Sequence, residues 1–311
     1  MKGPSVTLVI PTWNGKDWLL RCLESLSRQT YTDFKTVVVV NGSRDRTREA
    51  VEGRPDLQVF INSENLGFAA AVNQGIRSSN TPYVGVLNDD AFSEPGWLEA
   101  LVSAMESDLR IGACASLMVF AHQPDVIQSA GIAMDRAAIA WDRLRGRPVM
   151  EAGEECEIFG ASAGAALYRR KMLEEIGLFD ERFFAYLEDV DLAWRAQIAG
   201  WRCRYVPQAV VRHLTSASFG EDSPIKKQLK ARNKVWMVIK NAPASDFPLI
   251  FFYDLAAVLY TLVKNRDANP LKGRLQGLKK AHHFLKDRKP GRPRILEPLV
   301  APWEVPKRWG E

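Results

Sequence analysis

The sequence Val84-Gly85-Val86-Leu87-Asn88-Asp89-Asp90 decides the fold of this protein. A short apolar run followed by residues that favour turns predicts a buried strand. Two adjacent carboxylates at the end of a strand repel each other, unless a cation or hydrogen-bond donors offset the repulsion. In open α/β sheets ligands bind at the carboxyl ends of strands, where hard oxygen ligands suit Mg²⁺ or Mn²⁺ carrying a phosphate-containing substrate. A solvated Asn-Asp-Asp turn explains the same residues equally well.

The composition is that of a globular protein. The chain has 311 residues, 46% of them hydrophobic and 25% charged, which suffices for one large domain or two. No Lys/Arg-led apolar segment with a cleavage site opens the chain, so we expect no export. The four cysteines are far apart in sequence and lack metal-ligand spacing, which favours core thiols in a reducing cytosol.

Positive charge is concentrated near the end of the chain. The net charge is +5, and residues 264–294 alone hold eleven Lys/Arg against two acids. Just before them, residues 247–263 form the most apolar segment, interrupted by Pro248 and Asp254, which predicts a buried or interfacial helix and not a membrane span. Docking on an anionic membrane and a helical cap with a solvated basic tail both remain open. Nucleic-acid binding is disfavoured, because the basic stretch lacks regularly spaced aromatic residues.

Strands alternate with helices in the first third of the chain. Strands are predicted at 5–10, 34–40, 57–61 and 83–87, with helices from about residues 17, 65 and 95 between and after them. Such βαβ units form a mostly parallel sheet, so the fold class is α/β. The strand ends at Pro11, Asn41 and Asn88 would open on one edge of that sheet, where we expect a nucleotide.

Later segments carry further polar groups. Residues 119–157 are predicted to form variable loops over the site, and residues 200–207 and 209–213 two further strands. A helix beginning near Glu188 has three acids in its first four residues, more than helix capping requires. Arg195 lies one turn after Asp191 and can pair with it. His213 ends an apolar strand, as a hydrogen-bonded core residue or as a ligand.

Seven segments occur in order between residues 5 and 215: 9–15, 39–45, 65–75, 87–90, 177–184, 188–195 and the strand that ends at His213. Together they resemble family 2 glycosyltransferases, the inverting GT-A group, and above all its bacterial branch that builds rhamnan and other cell-surface polysaccharides. The resemblance implies a GT-A domain at 1–220, with a mostly parallel, Rossmann-like sheet flanked by helices. Its nucleotide-binding half would be 1–118 and its acceptor half 119–220, and a helical, basic C-terminal extension would follow at 221–311.

The resemblance also implies roles for individual residues. Asp90, with Asn88 or Asp89, matches a metal site for Mg²⁺ or Mn²⁺, and His213 matches a further metal ligand. Asp189 matches the catalytic base. Glu188, Asp191 and Arg195 would orient the acceptor, or Asp191 would hold Arg195. The expected nucleotide-sugar pocket comprises Pro11, Thr12, Asn14, Asn41, Ser43, Asn65, Gly67, Asn73, Asn88 and Asp89.

The implied activity is transfer of a sugar to a hydroxyl of a lipid-linked or polysaccharide acceptor. Relatives commonly carry Asp where this chain has Val40, so base recognition would fall to neighbouring residues. The branch favours dTDP-rhamnose, with UDP- and GDP-sugars as alternatives. The enzyme would be cytoplasmic, with peripheral contact at the inner face of the membrane as an option. An inactive nucleotide-binding or scaffold module of a glycan-synthesis complex is the competing hypothesis.

Overall fold

Alternating strands and helices build the first part of the chain, as predicted. The structure is a computed structural model that describes residues 5–214 and 223–301. Up to residue 107 the elements are β1 (Val6–Thr12), α1 (Lys16–Leu26), β2 (Phe34–Asn41), α2 (Thr47–Val51), β3 (Leu57–Asn62), α3 (Phe68–Arg77), β4 (Tyr83–Leu87), β5 (Ala91–Ser93) and α4 (Trp97–Ser107).

The middle of the chain contains more strands than expected. Its elements are β6 (Ile111–Phe120), β7 (Gln123–Ser129), β8 (Ile132–Met134), β9 (Ala140–Asp142), β10 (Cys156–Ile158), β11 (Ala165–Arg169), α5 (Arg170–Ile176), α6 (Glu188–Ile198) and β12 (Arg202–His213). The prediction of loops at 119–157 was therefore wrong in part, since β7, β8, β9 and β10 lie there. The two strands predicted at 200–207 and 209–213 are one strand, β12, whose register shifts between Val206 and Val210.

In the described residues ten strands form one sheet, with the order β10-β12-β6-β11-β4-β1-β2-β3, while β5 pairs with β12 and β7 with β6. Strands β3, β2, β1 and β4 are parallel to one another, as the βα alternation predicts. Strand β11 lies antiparallel between β4 and β6, and β12 is parallel to β6. Helices cover the sheet, so the predicted α/β fold class is confirmed.

Close packing of helices on the sheet explains several small residues. Gly75 of α3 faces Val9 so closely that a Cβ there would lie 2.4 Å from the Val9 Cγ1 atom. On α1, Leu19, Cys22 and Leu23 are buried, whereas Trp18 is exposed. Apolar burial of this kind holds the strand ends in place beneath the site.

The C-terminal part is helical, with α7 (Pro224–Asn241), α8 (Phe247–Val263), α9 (Asn269–Lys279) and α10 (His282–Leu285). Trp236 of α7 stacks on Phe284, and both contact Phe183 edge-on within a hydrophobic cluster that also contains Trp194 of α6. The division at residue 220 stays a prediction. The structure adds that the helices on its far side share a core with α6.

Candidate active site

Hydrogen bonds from asparagines connect the loops that follow the first three strands. Asn14 Oδ1 accepts a hydrogen bond from the Arg44 backbone N–H at 2.7 Å, and the Asn14 N–H donates to Ser43 Oγ at 3.0 Å. Asn41 Nδ2 donates to Asn65 Oδ1 at 3.0 Å. These contacts join the loops after β1, β2 and β3 into one rim at the carboxyl edge of the sheet. Pro11 and Thr12 end β1 beneath that rim and are buried.

Three residues predicted for the nucleotide pocket serve this scaffold. The amide of Asn41 is occupied at both ends, by Asn65 and the Gly67 carbonyl and by the Leu66 N–H. Asn73 is buried, and its side chain donates to the Phe179 carbonyl at 2.7 Å and accepts from the Phe179 N–H at 3.2 Å. Internal hydrogen bonds occupy the polar atoms of Asn41 and Asn73, and their contact with a nucleotide stays a prediction.

Gly67 was also predicted to let the backbone approach a nucleotide. Its φ is +91°, which favours glycine, and a Cβ there would lie 2.6 Å from the Phe184 carbonyl oxygen. The missing side chain therefore admits the loop that contains Phe184, and the approach of a nucleotide to Gly67 stays a prediction.

The Asn88-Asp89-Asp90 turn meets the end of β12. The His213 Nε2 atom lies 3.0 Å from Asp90 Oδ1 and 3.2 Å from Asn88 Nδ2, while its Nδ1 atom lies 3.0 Å from Gln128 Oε1. Because β12 pairs with β5, whose first residue Ala91 is the register partner of His213, the two segments are held side by side. The structure thus brings together the two residues predicted as metal ligands.

These residues fit a divalent cation. Gln128 Oε1 is an acceptor, so it pairs with a proton on Nδ1 of the imidazole. The Nε2 atom then faces the Asp90 carboxylate, and either a proton or a divalent cation between these two atoms removes their repulsion. The spacing of 3.0 Å is about that of adjacent ligands at 2.0–2.1 Å in an octahedral Mg²⁺ site.

Gln128 would then be the outer partner that orients a metal-bound histidine. The described residues contain no group of three or more His, Cys, Asp or Glu side chains arranged to hold a metal. A cation bound by Asp90 and His213 would thus keep positions for water and substrate oxygens, as Mg²⁺ commonly does.

Asp89 points in a different direction from Asp90. Its Oδ2 atom lies over Gly15, where a Cβ would be only 2.2 Å away, and near the Thr12 hydroxyl. Burial raises the pKa of Asp89 to about 7, although its contact with Thr12 acts in the opposite direction. Asp89 therefore connects the turn after β4 to the loop after β1.

Helix α6 carries the predicted base in its first turn. The Asp189 carboxylate accepts hydrogen bonds from the Ala163 N–H at 3.2 Å and the Val190 N–H at 2.8 Å. Burial raises the pKa of Asp189 and that of its neighbour Glu188. Within the described residues Glu188 Oε2 is buried without a hydrogen-bond partner. Both carboxyl groups therefore lie at the N-terminus of α6, where burial favours their protonated forms.

One short loop links the two acidic clusters. Ala163 donates to Asp189, and the carbonyl of the next residue, Gly164, accepts the Asn88 N–H at 2.9 Å. Asp189 and the Asn88-Asp89-Asp90 turn are thus fixed to consecutive residues, on the same edge of the sheet. The glycines of this loop permit the approach, since a Cβ on Gly160 would lie 2.4 Å from the Ala193 Cβ atom.

Asp191 and Arg195 have structural roles. Asp191 is fully buried, and its Oδ2 atom lies 2.8 Å from both Arg195 Nε and Lys240 Nζ. Arg195 also donates to the carbonyls of Ile176 and Leu178. The pairing of Asp191 with Arg195 is as predicted, and their internal partners occupy both side chains, so any orientation of an acceptor by them stays a prediction.

The backbone before α6 is strained. Phe184, Tyr186 and Leu187 have φ values of 66°, 70° and 66°, which residues other than glycine rarely adopt. Asn233 of α7 holds this segment, since its buried Nδ2 donates to the carbonyls of Phe183, Ala185 and Tyr186 at 3.0, 2.8 and 2.7 Å.

These α7 residues were missed from the sequence. Asn233, Lys240 and Asn241 share one face of α7 with the buried Trp236 and Met237, at positions i, i+7, i+8, i+3 and i+4. Polar residues within the apolar face of a helix predict buried hydrogen-bond or ionic partners, so this signal was present in the sequence.

Comparison with known proteins identifies relatives in sequence and in fold. The sequence model of Glycosyl transferase family 2 matches residues 7–177. An N-acetylglucosaminyl-diphospho-decaprenol L-rhamnosyltransferase of Mycobacterium tuberculosis (strain ATCC 25618 / H37Rv) is 31% identical over 239 residues, which are 69% of this chain and 78% of the relative.

Two solved structures share the fold. A mannosyltransferase from Pyrobaculum calidifontis, PcManGT, in complex with GDP-Man and Mn²⁺, has a TM-score of 0.54 at 20% identity and covers 91% of this chain and 76% of its own. GalNAc-T7 with UDP, GalNAc and Mn²⁺ has a TM-score of 0.65 at 17% identity, with coverage of 92% and 56%. At these identities the likeness establishes the GT-A fold.

Replacing Lys240 with Met should lower the free energy of unfolding by about 3 kcal/mol, because it leaves Asp180 and Asp191 without the cation they share. Urea titration monitored by circular dichroism measures the change. Lys279→Met, at an exposed position of α9, is the matched control and should change stability by less than about 0.5 kcal/mol. Equal stability of the two variants would contradict the role of Lys240.

Replacing Asn233 with Ala should release the strained segment, since three carbonyls lose their common donor. We expect a loss of about 1–3 kcal/mol and faster amide hydrogen exchange confined to residues 183–190. Asn265→Ala, at an exposed position after α8, is the control. Exchange in residues 183–190 that stays at the wild-type rate would show that other contacts hold the segment.

Proposed function

The chain belongs to glycosyl transferase family 2, and from this premise we propose that it is an inverting, divalent-metal-dependent enzyme that transfers L-rhamnose from dTDP-rhamnose to a lipid-linked acceptor. That it is a glycosyltransferase follows from the family. The observation that carries the proposed mechanism is the joint position of Asp189 and of the Asp90–His213 pair, tied to neighbouring residues of one loop.

In this proposal Asp189 is the general base. Its carboxylate accepts the proton of the acceptor hydroxyl while the hydroxyl oxygen attacks the anomeric carbon. The bond from that carbon to the diphosphate oxygen breaks on the opposite face, and the nucleoside diphosphate leaves with the bonding electrons. The Ala163 N–H holds one oxygen of Asp189, which leaves the carboxylate oriented for the acceptor.

Asp90 and His213 would hold the cation. A divalent ion at this position would neutralise negative charge on the leaving diphosphate. The presence of Mn²⁺ in the PcManGT and GalNAc-T7 complexes supports a divalent ion here as well. Asn14, Ser43, Asn65, Asn88 and Asp89 belong to the rim and floor where we propose that the nucleotide sugar binds.

The choice of substrates rests on the mycobacterial relative. Its name specifies L-rhamnosyl transfer to N-acetylglucosaminyl-diphospho-decaprenol, which supports a rhamnosyl donor and a lipid-linked diphosphate acceptor for this chain. Val40 is buried in β2 between Thr12 and Ile61, so it cannot contact a base, and the neighbouring loops would have to recognise it. Sugar transfer to such an acceptor would take place at the cytoplasmic face of a membrane.

Replacing Asp189 with Asn should lower the turnover number by about 10²–10⁴-fold while nucleotide-sugar binding survives, because Asn can still accept from Ala163 N–H but cannot take a proton. Asp125→Asn, an exposed acid-to-amide change on β7, is the control. Equal loss of binding and turnover in a folded Asp189 variant would remove its role as base.

The same base sets the sign of the pH dependence. Burial raises the pKa of Asp189, and a base works only when deprotonated, so turnover should fall on acidification at a pH above the ordinary aspartate value of about 4. Steady-state rates across the pH range provide the measurement.

A thermal-shift panel of dTDP-rhamnose, UDP-sugars and GDP-sugars, each with Mn²⁺ and with EDTA, tests donor and metal together. Stabilisation grows with ligand concentration over Kd, so dTDP-rhamnose with Mn²⁺ should raise the melting temperature most. His213→Ala should abolish the part that depends on Mn²⁺, whereas His282→Ala, an exposed histidine on α10, should not.

Stabilisation by dTDP-rhamnose that is indifferent to EDTA would contradict the metal site. Metal-dependent stabilisation without turnover on any acceptor would favour the competing hypothesis of an inactive nucleotide-binding or scaffold module. The retention of Asp90, Asp189 and His213 argues against that hypothesis, because a scaffold has no use for them.

A further inference from the structure

Helix α8 presents an apolar face to the solvent. Phe251 and Phe252 are 62% and 66% exposed, and Leu255, Leu259 and Val263 continue the same face at helical spacing with exposures of 42%, 52% and 79%. Exposed apolar side chains that form one continuous face are unusual on a soluble monomer and mark an interaction surface. We call these five residues the α8 face.

The other side of α8 is fixed to the protein. Asp254 forms ion pairs with Lys234 of α7 at 3.1 Å and with Arg274 of α9, whose Nη2 atom is 2.6 Å away, and Ile250 and Val258 are buried. Although burial alone would act in the opposite direction, these two cations lower the pKa of Asp254 to about 2. The ionised Asp254 side chain, together with the buried Ile250 and Val258, therefore holds α8 against α7 and α9.

This anchoring distinguishes two modes of membrane contact. Among the described residues one helical segment, Ala244–Val263, is long and apolar enough to cross a membrane by length and composition. Crossing would separate Asp254 from Lys234 and Arg274 and place a charge in hydrocarbon, which is strongly unfavourable. Lying in the interfacial plane keeps every ion pair intact while the α8 face enters the lipid.

The surrounding charge identifies the kind of surface. Most arginines of the basic stretch have internal partners, since Arg274 binds Asp254, Arg292 binds Asp246 and Arg294 binds Glu157. Five exposed lysines of this stretch have no acidic partner in residues 5–214 and 223–301: Lys272, Lys279, Lys280, Lys286 and Lys289. Near the lysines, Leu275 and Leu278 of α9 are 51% and 60% exposed. Exposed lysines beside apolar side chains complement anionic lipid headgroups.

We propose that the α8 face, together with the lysines after it, docks this protein on an anionic membrane surface, with α8 lying in the interface and not crossing it. The proposal goes beyond the proposed function, because it concerns a surface separate from the donor and base residues and does not depend on which sugar is moved. It gives a lipid-linked acceptor a fixed approach to the enzyme.

Vesicle co-sedimentation of the full chain, without donor or acceptor, tests the docking. Wild-type protein should sediment with phosphatidylcholine vesicles that contain phosphatidylglycerol, bind phosphatidylcholine vesicles weakly, and be released by high salt. The double variant Phe251→Ser, Phe252→Ser should lose binding by about tenfold or more, because two exposed aromatic side chains no longer enter the lipid.

Two comparisons make the experiment specific. Leu109→Ser with Met150→Ser removes apolar side chains that are 78% and 90% exposed within residues 1–220, and should leave vesicle binding unchanged. Lys279→Gln with Lys280→Gln should weaken binding only to vesicles that contain phosphatidylglycerol, by about thirtyfold if both lysines reach the surface. Circular dichroism and melting temperature check that each variant is folded.

Several outcomes would overturn the proposal. Wild-type protein that remains in the supernatant with anionic vesicles would do so, as would a Phe251/Phe252 double variant that binds like the wild type. A wild-type dimer that becomes monomeric in that variant, without vesicle binding, would assign the α8 face to contact between copies. Resistance to release by salt and alkali would indicate a spanning helix. Since no sugar donor is present, failure of the proposed activity would not affect these results.

Discussion

The structure depends on the buried carboxylate of Asp191. A charge that is removed from water must be matched by opposite charges and hydrogen-bond donors, and Asp191 has Arg195, Lys240 and Asn241 around it. These partners come from α6 itself and from α7, which lies beyond the predicted end of the GT-A domain. Because Asp189 is on the same helix, the ion-pair network that fixes α6 also fixes the proposed base.

A second constraint acts on the backbone that precedes α6. Three residues with positive φ cost free energy, and such strain persists only where surrounding structure enforces it. Asn233 from α7 and Gly67 from the loop after β3 both contact this segment. The nucleotide half and the C-terminal helices therefore meet at the turn that aims Glu188 and Asp189. The C-terminal extension contributes to the site without supplying a reacting group.

The sequence predicted the structure most accurately where hydrophobic periodicity and strand order determine which elements form and where they lie. It located the first four strands, the helix with Asp189 and the edge where Asn88, Asp90 and His213 meet. The partners of asparagines are harder to predict, because a short amide can bind either a ligand or a neighbouring loop at the same sequence position. Asn41 and Asn73 bind loops, and only the direction of their side chains, which packing sets, distinguishes the two cases.

The amino-acid sequence specified the α/β class and the residue types that gather at the carboxyl edge of the sheet, and the resemblance of its ordered segments indicated the family. The α/β class follows from the local hydrophobic periodicity, which neighbouring residues largely specify. Tertiary structure alone decided that α7 belongs to the active-site scaffold, that Gly67 makes room for Phe184, and that α8 keeps one apolar face in solvent. Each of these is a contact between segments far apart in the chain, so it depends on how the helices pack against the sheet and not on any local pattern.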